Sequence, residues 1–589
     1  MKRREFLTTT SLVVAGALTA PAVMHGKARP KQYDIVIAGA GPAGCIVATR
    51  LVDRFPDKSI LLVEAGGPTS VVVGGRDAPP YDPRVTIFDV PGEYQNIPFQ
   101  PKGEPYRQPE TRFTFQGVGY GGNSQFNGML FQAAPPVDFD RNWPAGWTYA
   151  EVRPYFDRVF QEMLISATPS ADGHFYNREA ADIAGAIYAA NGFAEVNTSI
   201  LGGLGERYFS HPYVVSHDGL RGGPVRHHLT SIVGPHGEST RANLEILPHT
   251  KVDRIVFSEV ERSRAVGITC TTGTSTFFIS LGREGRIVLA GGALMSPRLL
   301  LLSGVGPFDR HDEIFDAGFS VPFHIDNPGV GTGLFDHVAT MLAYEYTGTA
   351  HPFRAYHYGD YKTNEGDLAR YAALRAGPYA QYGPVSVMHE YLETEEDTTR
   401  QPNVEVFINP FGAGALDGPY NDARTLAAFA MLLRPRGRGL IRIGADTSVS
   451  YPPIYLTDDL DLALMTQAVQ GLIRLYREDP ALILTFGPGG RSHPHLNPDD
   501  PKDVEAYVGA WDPVDGIFFS RLIINHWGGT CPLSEDPGRG VAPRTLLVNG
   551  TRNIHVVDAS LHPAPLSAHP VATIMAVAEK ASDILSEQV

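Results

Sequence analysis

Two histidines near the carboxy terminus are the side chains best suited to proton chemistry: His526, in the stretch NHWGGTCPLS (Asn525 to Ser534), and His569, in AHPVATIMAVAEKASDIL. Imidazole, with an ordinary pKa of about 6.5, can take a proton at mild pH and return it. His526 is followed by Trp527 and then by Gly528 and Gly529, whose missing Cβ atoms let the backbone approach a flat ligand. His569 precedes Pro570, which suits a helix start because its missing N–H would be unpaired there in any case. The apolar spacing beyond it predicts a helix from about Val571.

A chain of 589 residues is too long for one ordinary core, so two or more lobes must bring these imidazoles together. With 43% hydrophobic and 19% charged residues its composition is that of a globular protein. A formal charge of -15, with no dense Lys/Arg run beyond the first residues, argues against nucleic acid or an anionic membrane as partner. Cys45, Cys270 and Cys531 allow one bridge at most, and without a CxxC pair or a CxxCH neither zinc nor a c-type haem of its own is expected. His227 and His228 read as loop histidines, since adjacent side chains on a strand point to opposite faces and would not share one ion.

The first residues read as an address. MKRREFLTTTSLVVAGALTAPA has a basic start, an apolar run too short to span a bilayer, and small residues at Ala20 and Ala22 where a peptidase could cut. Arg3 and Arg4, followed by Phe6 and Leu7, match the twin-arginine export pattern. Residues 1–28 are therefore expected to be a twin-arginine signal peptide, and the mature protein to be periplasmic or secreted, exported already folded around any cofactor. No other segment is long and apolar enough for a membrane span.

Folding is expected to begin at KQYDIVIAGAGPAGCIVATRL. A short apolar strand, Ile35 to Ala38, runs into Gly39, Gly41 and Gly44 in G-x-G-x-x-G spacing, then into an Ala-rich helix and a second strand, SILLVEAGG, carrying Glu64. In a dinucleotide fingerprint Gly39 makes the tight turn and Gly41 lets the backbone touch a pyrophosphate. Gly44 packs helix on strand, and Glu64 accepts from an adenosine ribose. Strand, helix, second strand and acid in this order are specific for a dinucleotide but do not separate NAD from FAD.

The rest of the chain makes that choice by resemblance. FQGVGYGGNSQFNGMLF (Phe115 to Phe131), GALMSPRLLLLSGVGP (Gly292 to Pro307), NPGVGTGLFDHV, LLRPRGRGLIRI and the turn VVDAS resemble motifs of the glucose-methanol-choline (GMC) family of FAD-dependent oxidoreductases. The resemblance implies an α/β (mixed α+β) fold, with a Rossmann-like FAD-binding domain and a second, substrate-binding domain of antiparallel sheet plus helices. To FAD it assigns Gly121, Gly122, Ser124, Asn127 and Gly128, the backbone of Val252, and Asp558, Ala559, His569 and Pro570, beside Gly39, Gly41, Gly44 and Glu64. No histidine occurs in the first signature, so noncovalent FAD is expected. Asp336 and His337 are expected to clamp the domain junction, and Trp143 and Trp147 to be core residues. Thr148 and Glu151 have the spacing of a capping box.

The FAD-binding domain is expected to be discontinuous, over residues 33–160, 240–338 and 522–589, with an irregular connecting segment at 161–239 and a substrate-binding domain at 339–521. Within the last, Glu390, Phe407 and Asn409 are candidate pocket residues. By the resemblance His526 is the base that takes the alcohol proton as hydride leaves for the flavin, and His569 holds and polarises the alcohol oxygen. The expected activity is oxidation of an aromatic primary alcohol, sugar or polyol to the carbonyl, by an alcohol dehydrogenase passing electrons to a quinone or cytochrome. An oxygen-using oxidase, and an FAD-containing lyase or isomerase with no net oxidation, are the alternatives.

Overall fold

The computed structural model describes residues 32–95, 97, 116–351, 355–381, 383–394, 399–410, 424–510 and 522–588. The expected signal peptide, 1–28, and Phe115 lie outside the described residues. The opening unit is β1 (Gln32–Ala38), α1 (Pro42–Arg54) and β2 (Ile60–Val63). Both strands are apolar runs and almost wholly buried, which suits the middle of a parallel sheet covered on two faces. Then come α2 (Tyr149–Glu162), α3 (Arg178–Ala190), β3 (Ala194–Glu195), β4 (Arg207–Ser210), β5 (Leu244–Leu247), β6 (Lys251–Phe257), β7 (Ala265–Thr272), β8 (Ser275–Leu289) and α4 (Gly292–Leu302). The second half supplies β9 (Val338–Tyr346), β10 (Ser386–Glu390), β11 (Val404–Asn409), β12 (Thr425–Leu432), α5 (Asp459–Tyr476), β13 (Leu482–Phe486), β14 (Leu522–Ile523), β15 (Ile554–Val556) and α6 (Val571–Ser586).

Two sheets organise these elements. The first has the order β5-β2-β1-β8-β7-β6, with β15 also on β8. Its strands β5, β2, β1, the end of β8 and β15 run parallel, while the start of β8 turns antiparallel to β7. The second sheet has the order β13-β9-β12-β11-β10-β4-β3, with β14 on β9, and all its pairs but β3–β4 are antiparallel. This is the mixed α/β architecture expected. Segment 161–239, expected to be irregular, instead contains α3 and lends β3 and β4 to the second sheet. REAADIAGAIYAA buries Ala180, Ile183, Ala184 and Ile187 at helical spacing, a pattern that the surrounding Gly, His and Asn residues mask.

Helices α1, α2 and α6 pack together. Arg50 of α1 donates to Glu162 of α2 and Glu579 of α6, and Arg158 of α2 donates to Glu579. His228, in a turn as expected, is buried against these acids, 3.3 Å from Glu162 and 4.0 Å from Glu579. His227 closes a short helical turn, Pro224–His227. The capping box forms as read, with Glu151 accepting from Thr148 N–H and Oγ1. Trp143 and Trp147 are buried, and all three cysteines are free. No helix among the described residues is long and apolar enough to cross a membrane.

Candidate active site

The turn after β1 admits only glycine: at Gly39, φ is +108° and a Cβ would lie 2.5 Å from Ala290 O, while at Gly44 a Cβ would strike Gly39 O. Gly41 is the N-cap of α1, Pro42 follows at N1, and no side chain caps the free N–H groups. That helix end is open to an anion. The first signature folds over the turn, with Gly121 N–H donating to Ala40 O at 2.7 Å and the Cβ position of Gly122 3.1 Å from Gly41 Cα.

Glu64 is buried and accepts from Ala40, Gly66 and Gly119 N–H at 2.7, 2.9 and 3.1 Å, so its carboxylate ties three segments of the cradle together. Thr250 N–H donates to Glu64 O, which brings Val252, two residues on in β6, to the same end of the sheet. Ser124 Oγ donates to Gly121 O, and Asn127 accepts from Arg221 through both O and Oδ1, so these two side chains hold the shape of the loop. Around them Gly128 faces open space, and Gln116 Oε1 and Tyr120 Oη are buried with no hydrogen-bond partner among the described residues. A bare helix end, an unfilled glycine face and orphaned polar atoms fit a large polar ligand such as FAD.

At the other end of the chain Asp558 accepts from Gly292 N–H, Ser296 Oγ and Ser560 N–H at 2.9, 2.6 and 2.9 Å. Its side chain fastens α4 to the turn Asp558–Ala559, so the carboxylate is engaged within the chain. Pro570 is the N-cap of α6, which starts at Val571 as the spacing predicts.

His526 and His569, 43 positions apart, meet edge to face with ring centroids 4.8 Å apart. Asp336 and His337, expected at the junction, hold one of them. Asp336 accepts from His526 N–H at 2.6 Å, from Asn525 N–H at 3.2 Å and from Tyr455 Oη at 2.9 Å. His337 Nδ1 lies 2.8 Å from His526 Nδ1. Asn525 sits at φ +66°, a left-handed conformation that asparagine tolerates, which turns the chain just before His526. The flat group that Gly528 and Gly529 are seen to admit is Phe335 of the chain itself: a Cβ on Gly528 would collide with that ring, and the two residues pair as a β-bridge.

His569 is held from the second sheet. Its Nε2 lies 2.8 Å from Glu405 Oε1, and its backbone N–H donates to Gln132 Oε1 at 3.3 Å. Glu405, fully buried in β11, also accepts from Gln132 Nε2, and its Oε2 is within ion-pair range of His389 Nε2 at 2.9 Å. Burial alone would raise the Glu405 pKa, but the nearby charges and hydrogen bonds of His569 and His389 hold it well below the usual carboxylate range. The His526 pKa is lowered as well, driven well below its ordinary value by burial and then by the neighbouring His569 and His337, which for an imidazole favours the neutral form. Burial also pushes His337 down to about 4 and Asp336 up to about 7. One imidazole is thus kept neutral while the other is pinned to an ionised carboxylate. Such a divergence of environments separates acid from base roles in many active sites.

Phe407 lies between Glu405 and Asn409 on the same face of β11, stacks on Phe429 at 4.9 Å and meets the His569 ring at 6.1 Å. Asn409 Oδ1 is buried with no hydrogen-bond partner among the described residues, beside a small cavity lined by Gln381, Gly383 and Val385. Glu390 pairs across the sheet with Val404, faces the opposite side and binds Arg207 at 3.1 Å, so it does not join the histidines.

Two family models, each described as GMC oxidoreductase, match residues 33–339 and 435–578. The chain belongs to the GMC oxidoreductase family. Full-length relatives agree: an oxygen-dependent choline dehydrogenase of Burkholderia multivorans is 26% identical over 578 residues, 94% of this chain and 93% of that protein. Among solved structures, a formate oxidase superposes with a TM-score of 0.72 at 19% identity over 95% of this chain and 99% of its own. Pyridoxine 4-oxidase from Mesorbium loti gives 0.68 at 22% identity, over 94% and 99%. These two likenesses carry the fold. As a GMC oxidoreductase the protein is an FAD-dependent enzyme acting on CH–OH groups.

In this GMC oxidoreductase, Gln132, Arg221, His389 and Glu405 escaped the reading of the sequence, as did the contact of His337 with His526. Glu405 had left a signal: a lone acid in the apolar strand VEVFIN must find a cationic or hydrogen-bonding partner if that strand is buried. Arg221, almost fully buried at 2% exposure, sits in a Gly-rich stretch with no periodicity to mark it.

Proposed function

We propose that this GMC oxidoreductase oxidises a primary alcohol carried on a flat, largely apolar framework, with His526 taking the hydroxyl proton and His569 holding the alcohol oxygen. What supports this reading is the pair itself: His526 is neutral and its Nε2 makes no hydrogen bond to the described residues, whereas His569 is fixed by Glu405. An alcohol is about as weak an acid as water, so its pKa exceeds that of imidazole by roughly 9 units, or about 12 kcal/mol. Proton removal must therefore accompany departure of the hydride. Bound FAD supplies the acceptor for that hydride. Glu405 sets a negative charge against His569 Nε2 and fixes the ring, whose Nδ1 side can then meet the alcohol oxygen.

The cofactor would be gripped by Gly39, Gly41 and Gly44, by the loop Gly121–Gly128, by Val252 and by the backbone at Asp558 and Ala559. Its attachment is noncovalent in this reading, because the first signature contains no histidine. Acid precipitation that leaves the yellow colour in the pellet would overturn that point.

The stacked Phe407 and Phe429 beside His569 favour an aromatic primary alcohol over a sugar or polyol. The test is an anaerobic flavin-reduction screen over benzylic alcohols, pyridoxine, choline, sugars and polyols. Fastest bleaching by the ring-bearing primary alcohols is expected, and bleaching by sugars alone would overturn the substrate class. Failure of every alcohol would point to a lyase or isomerase reaction. Export by the twin-arginine route to the periplasm, with electrons passed to a quinone or cytochrome, is supported by Arg3 and Arg4. Turnover in air that matches turnover on an artificial acceptor, with stoichiometric peroxide, would instead make the enzyme an oxidase. Retention of a tagged chain in the cytoplasm would remove the export assignment.

A further inference from the structure

We infer that His337 is a positioning residue that fixes which nitrogen of His526 carries a proton, leaving Nε2 as the lone pair that meets the alcohol, a step that rests on the reading of His526 as the base. His337 Nε2 lies 2.9 Å from two carbonyl oxygens, Leu433 O just after β12 and Leu566 O just before α6. Carbonyl oxygens only accept, so Nε2 of His337 carries the hydrogen and shares it between them. A neutral imidazole has one N–H, which leaves His337 Nδ1 as a lone pair. That lone pair stands 2.8 Å from His526 Nδ1. Two lone pairs facing each other at this distance would repel, so the proton of a neutral His526 sits on Nδ1. Its Nε2 is then bare.

Both rings are in the state this requires. His337 is 2% exposed, and burial is the largest influence holding it neutral; the same is true of His526, where the adjacent imidazoles add to it. The other groups facing the pair are Glu405 through His569, and Asp336, whose carboxylate is taken up by the N–H groups of Asn525 and His526 and by Tyr455. None of these reaches His526 Nδ1, so among the described residues His337 sets the tautomer. A His526 with the opposite tautomer would present an N–H to the alcohol oxygen and could not take its proton.

A purely structural role for His337, bridging the carbonyls of Leu433 and Leu566, would need only Nε2. Two amides separate the roles. Asparagine at 337 puts an amide oxygen near the Nδ1 position, where it can accept from His526, but stops short of the carbonyls. Glutamine puts its amide nitrogen near the Nε2 position and keeps the carbonyl bridge, with no acceptor for His526. In FAD-loaded enzyme, His337→Asn is expected to stay within roughly tenfold of the wild-type kcat, and His337→Gln to fall by roughly a hundredfold or more at little-changed KM. A Gln variant as active as the Asn variant, or more active, overturns the inference.

A second measurement needs no folded variant of His337. Nitrogen NMR of the wild-type protein labelled at its histidines, with the His526 signals identified by their loss in His526→Asn, reads the tautomer directly. Protonated Nδ1 with bare Nε2 is expected, and an Nε2–H form overturns the inference whatever the kinetics show. Should the tautomer be as expected while His526→Asn still reduces its flavin briskly, the assignment of His526 as base fails and the tautomer assignment stands.

Discussion

Glu405→Gln removes one charge from the site and almost nothing from its shape. The wild-type carboxylate is fully buried, 2.8 Å from His569 Nε2 on one side and 2.9 Å from His389 Nε2 on the other. At an effective dielectric constant of about 20, unit charges at such a separation attract by roughly 6 kcal/mol, which bounds the effect from above. The net worth of a hydrogen bond to a charged group is smaller, about 1.5–3 kcal/mol. At about 1.4 kcal/mol per tenfold, the charge that supports His569 accounts for a loss of roughly 10- to 150-fold in kcat. Anaerobic stopped-flow reduction of the bound flavin, with FAD content measured for both proteins, reads this directly, and KM should change little because the substrate does not touch Glu405.

The same substitution has a pH signature. The pKa of Glu405 in the folded protein lies below its ordinary value. The stability it contributes is therefore fully present above the ordinary glutamate pKa of about 4.3 and is lost as the pH falls from there through the folded value. The melting-temperature gap between wild type and Glu405→Gln should be widest near neutrality and close on acidification. A variant reduced within about twofold of the wild-type rate at pH 7, with full FAD content, would refute the role given to this charge.

His526→Ala should keep bound yellow FAD yet be reduced roughly 10²- to 10⁴-fold more slowly, the range for loss of a general base; brisk anaerobic bleaching would remove it as the base. His569→Ala should lose about 2.7–4 kcal/mol of transition-state stabilisation, read as roughly 10²–10³ in kcat, and a loss under tenfold would mean that the alcohol oxygen is held elsewhere. Because the His526 pKa is depressed in the folded protein, the base stays free below the ordinary histidine range. The kcat/KM profile should accordingly hold its plateau through about pH 6.5; an acid limb centred there or higher contradicts the neutral His526. Asp336 is raised to about 7, so its contribution is full below about pH 4 and fades as the pH rises through 7. Asp336→Asn should flatten that fall in thermal melts from pH 5 to 8, and parallel curves would count against it.

The nucleotide half of the molecule could be read from the chain because its determinants are local. Gly39 and Gly44 are demanded by contacts within a few residues or across one strand, and Thr148 and Glu151 satisfy each other three positions apart. The glycines after His526 misled in part, since the planar group seen to press on Gly528 is Phe335, nearly two hundred positions earlier. Local pattern also failed in segment 161–239, where β4 finds its partner in β10, far along the chain.

The histidine cluster shows why the rest stayed hidden. His337 and His526 are 189 positions apart, and Glu405 and His569 are 164, so no periodicity or spacing relates them. What a sequence can state is a debt in physical terms: an ionised carboxylate inside a buried apolar strand costs several kcal/mol unless cations or donors surround it. That constraint says Glu405 must be paired, but only the closure of the second sheet onto α6 says with whom. His526 and His569 carry the same side chain and each sits in a marked motif. They differ because the fold sets a lone pair against one and a negative charge against the other, and exchanging those neighbours would exchange their chemistry.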